Sequence, residues 1–411
     1  MRDIKSLRSF IETQLVQPFE KISVINLVDL LVEYAYSTKA SDIHIEPTKK
    51  GTRLRFRIDG LLQDVFQKLV ISEELNQEVI SRIKVLSGLR TDEHFLPQDG
   101  RLKVKIEDFG DVDVRVSVMP TYYGENAIMR VLAETQNFGL EDLGFQDVDL
   151  KKIEAAIDKP YGMILANGPT GSGKTTTLYT ILKRLNSSTA SIITIEDPIE
   201  YSLEGTTQIQ INETAGLTFA NGLRSILRQD PNVIMVGEIR DTETAGISVQ
   251  AALTGHLVLS TLHTNDAATT FPRLMDMGVP PFLVASTVNI AIGQRLVRTL
   301  CQKCKIKKVL SVSEAKSVAE LIPEIGESDR VFYAPKGCDE CGNTGYRGRM
   351  GIREVLEVND EVRQLIMTRG NAGQIKEAAV KNGMTTMIKD GVEKALKGQT
   401  SIEEILRIIH E

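Results

Sequence analysis

No stretch of about 18 apolar residues occurs in this chain of 411, so no segment reads as a transmembrane helix. The first residues, Met1-Arg2-Asp3-Ile4-Lys5, hold no apolar signal core, and export is not expected. Tryptophan is absent and aromatic residues make up 5%. The net charge is −6, with 49 basic residues against 55 acidic ones. A basic, aromatic-laced groove is therefore missing, which argues against a nucleic-acid partner or a DNA-translocating activity. Cysteine is scarce: there are four, arranged as two C-x-x-C pairs, Cys301–Cys304 and Cys338–Cys341. In a chain without an export signal such pairs point to metal before disulfide. Internal repeats and low-complexity tracts are also missing. Against these absences stands a hydrophobic fraction of 42%, enough for sizeable cores. The length allows roughly two to four domains.

One stretch organises the rest. Gly168 to Thr175 spells G-x-x-x-x-G-K-[ST] in full, as Gly168-Pro169-Thr170-Gly171-Ser172-Gly173-Lys174-Thr175, followed by Thr176. A chance match in this length is on the order of one in a hundred given average glycine usage. The context sharpens it. Met163 to Ala166 is an apolar run bounded by glycine, a buried strand, and Thr175 to Leu185 carries Leu178, Leu182 and Leu185 on one helical face. The glycines free backbone N–H groups to face phosphate oxygens. Lys174 would reach the β- and γ-phosphates, and the Thr175 hydroxyl would hold Mg²⁺. The phosphates would also sit on the positive end of a helix. The stretch reads as a nucleotide-binding loop.

Before it, residues 1–20 read as an arm or short helix. A helical pattern starts at Ser23, with Val24, Leu27, Val28, Leu31 and Ala35 on one face. Ser41 to Pro47 reads as a strand, and Gly51 to Gly60 alternates, Leu54, Phe56 and Ile58 opposite Arg53, Arg55 and Arg57. A helix follows over Ser72 to Leu89. Then come strands over Leu102–Ile106 and Val112–Val116, with a turn at Glu107 to Gly110, and a last strand over Asn126–Leu132. Residues 21–134 thus form an α+β domain on an antiparallel sheet. Residues 135–148 lack a period and read as a linker. From 149 to 300 apolar strands (Met163–Ala166, Ile192–Ile195, Val233–Val236, Leu257–Ser260) alternate with helices, a parallel α/β core. Residues 301–345 form the cysteine segment, with a helix expected near Val312 to Leu321, and residues 346–411 hold helical patterns.

Three strand ends add chemistry. Glu196, Asp197 and Glu200 follow the strand at Ile193–Ile195. Glu238 ends the strand Val233–Val236, where a Walker B carboxylate belongs. His256 and His263 bracket a third strand. Carboxylates and histidines at strand ends are often only solvated or structural, but these share the sheet of the phosphate loop, whose carboxyl ends converge on one crevice. From the residues alone, Glu200 and Glu238 cannot be ranked as base. Arg224 and Arg228, four apart on an expected helix, and Arg240 flank the Glu238 strand. That basic face suits phosphate, a neighbouring subunit or plain solvation. The two knuckles suit a tetrahedral Cys₄ zinc formed by Cys301, Cys304, Cys338 and Cys341, structural rather than catalytic because four thiolates leave no open position. Lys303, Lys305, Lys307 and Lys308 form a small basic run, read as solvated before lipid-facing.

Together these stretches, with Ala40–Pro47, Arg53–Gly60, Gln98–Arg101, Leu227–Asp241, Leu253–Asn265 and Thr344–Arg349, make the chain resemble the secretion ATPases of type II secretion and type IV pilus assembly (the GspE/PulE/PilB family) from about residue 21 onward. The resemblance implies an α/β fold: a RecA-like P-loop ATPase core, an N-terminal PAS-like α+β domain, a Cys₄ zinc insertion and a helical C-terminal segment. It implies a Mg²⁺-dependent homohexamer, cytoplasmic and peripheral on the inner face of the membrane, acting on an inner-membrane platform protein. By the same resemblance Lys174 and Thr175 are the Walker A pair, Glu200 a water-activating carboxylate, Glu238 the Walker B glutamate beside Mg²⁺ and His263 the His-box histidine. Arg224, Arg228 and Arg240 match core arginines. Arg101, Arg115 and Arg130 match arginines that the smaller domain brings to the nucleotide. The knuckles argue against the retraction-type relatives. The chain departs in one respect: most such ATPases carry a further N-terminal domain for platform docking, and only about 20 residues precede the PAS-like domain here. The remaining alternative is a nucleotide-gated structural subunit with little turnover.

Overall fold

A computed structural model describes residues 4–66, 70–106, 110–132, 139–322 and 331–410. The chain divides into two compact units, Met1–Gln136 and Asn137–Glu411.

In the first unit, helices α1 (Ile4–Leu15) and α2 (Val24–Ser37) precede strands β1 (Ala40–Thr48), β2 (Gly51–Ile58) and β3 (Leu61–Asp64). Helix α3 (Glu73–Leu86) and strands β4 (Gln98–Ile106), β5 (Gly110–Thr121) and β6 (Gly124–Leu132) follow. Ser23 and Ser72 start α2 and α3 by accepting hydrogen bonds from the Asn26 and Leu75 N–H groups, each satisfying a donor the helix cannot. All strands pair antiparallel, in the order β3-β2-β1-β6-β5-β4. Alternation puts Ile43, Ile45, Leu54, Phe56, Val114, Val116 and Met129 into one core with Leu27, Leu31, Val79 and Ile83 of the helices. Each such side chain contributes roughly 1.5–3 kcal/mol. The first segment is a helix and not a loose arm, because Leu7 and Ile11 are buried in that core. The turn expected at Glu107 falls on residues 107–109, outside the described residues.

The opposite face of the sheet is a charge ladder. Arg53 donates to Asp64 at 3.1 Å, and Arg55 grips Glu46 with two bonds of 2.7 and 2.6 Å. Arg57 faces the buried Asp42 at 3.4 Å, and Arg130 donates to the other oxygen of Asp42 at 2.9 Å. The register continues this row across five strands as Arg57, Asp42, Arg130, Arg115 and Arg101. The arginines of β2 lie opposite the core as expected, yet each already meets a carboxylate of a neighbouring strand.

In the second unit, α4 (Asp147–Ile157), β7 (Gly162–Asn167), α5 (Lys174–Leu185), β8 (Ile192–Glu196), β9 (Thr207–Gln210), α6 (Phe219–Ile226), β10 (Val233–Val236), α7 (Thr242–Leu253) and β11 (Leu257–Leu262) alternate. Helices α8 (Thr270–Asp276) and α9 (Pro281–Thr287) lead into β12 (Val288–Leu300). The cysteine segment holds β13 (Ile306–Val309), α10 (Val312–Leu321) and β14 (Val331–Ala334), and β15 (Tyr346–Glu357) returns to the core. Helices α11 (Asp360–Met367), α12 (Ala372–Lys381), α13 (Met387–Leu396) and α14 (Ile402–His410) finish the chain. The main sheet runs β15-β12-β7-β11-β10-β8-β9, parallel except where β15 pairs antiparallel with β12. Its central strands are buried throughout because both faces are covered. Met163 and Leu165 enter one core, Ile164 and Ala166 the other.

Three expectations need correction. The segment from 346 does not begin helical: β15 is a 12-residue strand of the core sheet, disguised by Arg347, Arg349, Arg353 and Glu354. The stretch expected as linker is, from residue 139, part of the second unit. Leu140, Leu143 and Phe145 are buried in its core, and the Arg353 guanidinium, 4.5 Å from the Phe145 ring centre, donates to the Leu143 carbonyl. Residues 135–138 lie outside the described residues. Arg228 does not share a helix with Arg224, since α6 ends at Ile226; it folds back to donate to the Arg224 carbonyl at 2.9 Å.

Candidate nucleotide site and tetracysteine centre

Strand β7 ends at Asn167 and α5 starts at Lys174, so Gly168 to Gly173 must reverse the chain within six residues. The loop needs glycine where it has it. Gly168 has φ 146° and Gly173, the residue before the helix, φ 89°. At Gly168 a Cβ would lie 2.5 Å from both the Gln294 carbonyl oxygen and Ser172 Oγ. Lys174 is buried, and its ammonium donates to the Gly168 and Pro169 carbonyls at 2.8 and 3.0 Å. Burial pushes it down to about 8, with the Glu238 carboxylate opposing the shift and the Arg295 charge adding to it. A group that carries its charge at such a cost gains from an anion in the loop.

The carboxyl ends of β8 and β10 open on a cavity of about 110 Å³ next to α5, lined by Thr175, Glu196, Asp197, Glu200, Gly237, Glu238 and Thr261. The four carboxylates named from the sequence thus meet the Walker A threonine in one cavity. They differ in their partners. Glu196 is buried and accepts hydrogen bonds from the Tyr179 hydroxyl, from Thr194 Oγ1 at 2.6 Å and from Gln208 Nε2 at 3.2 Å. Burial and the Glu196 carboxylate push the Tyr179 phenol far up, so it remains a donor. Gln208 also donates to the Tyr201 carbonyl at 3.2 Å and accepts from the Leu203 N–H at 2.7 Å. Glu196 and Gln208 therefore hold the segment that carries Glu200.

Glu238, also buried, sits between two nitrogen donors. Arg240 Nη2 is 2.6 Å from one carboxylate oxygen and His263 Nε2 is 3.1 Å from the other. The Ser260 and Thr261 hydroxyls donate at 2.8 Å to the carbonyls of Val236 and Gly237, which locks the exit of β10 against β11. His256 lies at the other end of β11 and bonds the Ala251 carbonyl, a structural role. Arg224 pairs with Glu243. Arg115 and Arg130 belong to the first unit, facing each other across β5 and β6.

Sequence reasoning missed Gln294, whose fully buried amide touches the phosphate loop, because β12 was not recognised as a strand. The available signal was a glutamine inside the apolar run Val288 to Val297.

The four cysteines converge. Their sulfurs all lie within 4.8 Å of one another, with Cys301–Cys338 at 3.9 Å, Cys304–Cys341 at 3.8 Å and Cys338–Cys341 at 3.7 Å. Tetrahedral zinc with bonds of about 2.3 Å has sulfur–sulfur edges of about 3.8 Å, so the residues present fit that ion. The Cys338 and Gly345 N–H groups point at Cys341 Sγ, each at 3.2 Å. Burial pushes that thiol up, but these N–H donors together with the Cys338 and Cys304 side chains outweigh it and bring it down to about 7.

The family profile described as "Type II/IV secretion system protein" matches residues 19–407. The chain belongs to that family. It is 44% identical over 384 residues to the type IV pilus assembly ATPase PilB of Myxococcus xanthus, covering 93% of this chain and 67% of that one. It is 46% identical over 391 residues to the type II secretion system protein E of Xanthomonas campestris pv. campestris, covering 94% and 68%. Among solved structures, the Legionella pneumophila ATPase DotB matches at TM-score 0.71 and 23% identity, covering 96% of this chain and 98% of that one. The pilus retraction motor PilT with bound ADP matches at TM-score 0.63 and 26% identity, covering 92% and 96%. This type II/IV secretion family member is a P-loop ATPase of α/β fold. Among its described residues, no helix is long and apolar enough to cross a membrane.

Proposed function

We propose that this ATPase is a motor that hydrolyses Mg-ATP as a homohexamer and drives type IV pilus or type II pseudopilus assembly. It would do so at the cytoplasmic face of the inner membrane, through a platform protein. The observation that carries the reading is the meeting of Thr175 with Glu200 and Glu238 around one cavity, with His263 bonded to Glu238. A scaffold that only bound nucleotide would need the loop and not the carboxylates.

Each residue has a task in this reading. The N–H groups of Gly168 to Thr176 bind the phosphates. Lys174 exchanges the Gly168 and Pro169 carbonyls for phosphate oxygens and stabilises charge on the transferring group. Thr175 and Glu238 would hold Mg²⁺, which when bound neutralises charge between the β- and γ-phosphates. Arg240 and His263 orient Glu238. Glu200 orients and deprotonates the attacking water. Steady-state phosphate release tests the reading: sustained turnover supports the motor, and ATP binding without turnover would make the chain a nucleotide-gated structural subunit. A hexamer in native mass spectrometry would support the assembly.

Arg115 and Arg130 are proposed to serve turnover, as arginine fingers do. Arg130 balances the buried Asp42, so Arg130→Ala would also disturb the sheet. Arg115→Ala is expected to cut turnover at least tenfold, about 1.4 kcal/mol of barrier, while ATP affinity changes much less. Unchanged turnover would remove Arg115 from the mechanism.

The tetracysteine centre is proposed to hold one structural zinc through Cys301, Cys304, Cys338 and Cys341. Its bonds would supply folding energy to an excursion whose own sheet has two strands. Elemental analysis of protein purified without chelator is expected to return about one zinc per chain. Cys304→Ser should make residues 301–345 exchange amide hydrogen faster before the main sheet does. Metal-free protein with unchanged exchange would refute the site.

A further inference from the structure

We infer that Gln294 is a positioning residue for the phosphate-binding loop, its side-chain amide clasping the loop to the first turn of α5 so that a backbone N–H is aimed at the bound phosphate. The inference rests on the nucleotide-site reading above.

Strand β12 pairs with β7 up to Gly293 opposite Asn167. Beyond that point β7 has ended, and β12 runs on beside the loop that reverses into α5. Gln294 is the first residue past the pairing and is fully buried. Its Nε2 donates to the Ser172 carbonyl at 2.8 Å, and its Oε1 accepts from the Thr177 hydroxyl at 2.9 Å. One amide thus bonds the loop and the helix that follows it.

The direction of one of those bonds matters. In a trans peptide the C=O and the N–H point opposite ways. Holding the Ser172 carbonyl toward β12 aims the Gly173 N–H away from β12, the direction in which the site reading puts the phosphate. Gly173 at φ 89° is the residue at which the backbone bends into the helix, so this peptide is the one most able to flip. The strand also limits the loop through its own backbone, because the Gln294 carbonyl oxygen lies 2.5 Å from where a Cβ at Gly168 would stand. Glutamine suits the place for chemical reasons. It supplies one donor and one acceptor at the required reach. Asparagine is a methylene shorter, glutamate lacks the donor, and methionine lacks both.

The test uses the full chain and a fluorescent ADP analogue displaced by unlabelled ADP, ATP or AMP. ADP and ATP share the β-phosphate that the loop holds; AMP lacks it. Gln294→Met, which keeps the volume, is expected to weaken ADP and ATP about tenfold, equivalent to about 1.4 kcal/mol, with little change for AMP. The ADP-to-AMP preference therefore falls, whereas a purely structural residue would leave that ratio alone. Thr177→Val removes one of the two bonds at constant shape and should lower the preference about threefold. The double variant should lose less than the product of the singles, because both act on one clasp. Gln294→Glu should be worse than Met, since it cannot donate to Ser172 and buries a negative charge near phosphate. A Gln294→Met chain whose ADP-to-AMP preference stays within twofold of the parent overturns the clasp, whatever its melting temperature. If that variant does not fold, an unchanged preference in Thr177→Val overturns it instead. A parent chain that does not prefer ADP to AMP would overturn the nucleotide site itself and the clasp with it.

Discussion

Lys174→Ala is expected to lower ATP hydrolysis by on the order of a thousandfold and to weaken ATP binding as well. The size follows from where the ammonium sits. It is buried at the start of α5 and held by the Gly168 and Pro169 carbonyls, inside the loop that would receive the phosphates. Alanine removes the ammonium bonded to that loop, and the developing charge loses that compensator. The same burial yields a pH dependence. In the free chain Lys174 loses its proton near pH 8, because burial disfavours the charged form. Bound phosphate favours that form, so its pKa is raised in the complex. Binding is therefore proton-neutral below about pH 8 and requires proton uptake above it. The KM for ATP should stay flat below about pH 8 and climb above it by up to tenfold per unit, and this rise should be absent from the residual binding of Lys174→Ala. For folding, a lysine with a depressed folded pKa costs stability below about pH 8 and less as the pH rises toward its unfolded value. Near-normal turnover in Lys174→Ala would remove the loop from the chemistry.

How much of this was legible in the chain depended on how local the determinants were. The phosphate loop and β7, β8, β10 and β11 were readable because strands covered on both faces are mostly apolar, and because the loop motif is contiguous. The alternating strands of the first unit were readable for the complementary reason, one face apolar and one charged. What the pattern of one strand could not convey was its partner. The alternation of β2 places Arg53, Arg55 and Arg57 opposite the core, and β1 and β3 supply their partners Glu46, Asp42 and Asp64. Strands β12 and β15 escaped notice because Gln294, Arg295, Arg353 and Glu354 interrupt their apolar runs. Those residues are buried through contacts far along the chain: Glu354 accepts from the N–H groups of Ala267 and Met387, and Gln294 meets a loop over 100 residues earlier. Residues 139–146 read as linker for the same reason. Gln146 donates to Asp390 and Glu393, partners nearly 250 positions away. Polar residues buried by distant partners are thus the ones that spoil the local pattern, and Gln294 is the one among them that touches the site.

Glu200→Gln and Glu238→Gln are expected to fail in different ways. The sequence leaves the two carboxylates equivalent, each following an apolar strand of one sheet. The structure does not. Both oxygens of Glu238 are engaged, one by Arg240 at 2.6 Å and the other by His263 Nε2 at 3.1 Å. A carboxylate so held is fixed in direction and poorly placed to take a proton from water. An amide in its place would turn an N–H₂ toward one of those two nitrogens, so Glu238→Gln should disturb the pair as well as any metal contact. Glu200 lines the same cavity on a segment held by Gln208 and Glu196. In the proposed roles Glu200 works on the attacking water while Gln208 keeps its backbone in place. Glu200→Gln is therefore expected to bind Mg-ATP with parental affinity and to turn over at least a hundredfold more slowly, with an unchanged Mg²⁺ optimum. Glu238→Gln should move the Mg²⁺ concentration for half-maximal rate upward, and excess Mg²⁺ should recover part of its rate. Titrating Mg²⁺ at saturating ATP separates the two. The reverse pattern, a metal-dependent Glu200→Gln and a metal-independent but slow Glu238→Gln, would exchange the two roles, and with them the side of the nucleotide from which water attacks.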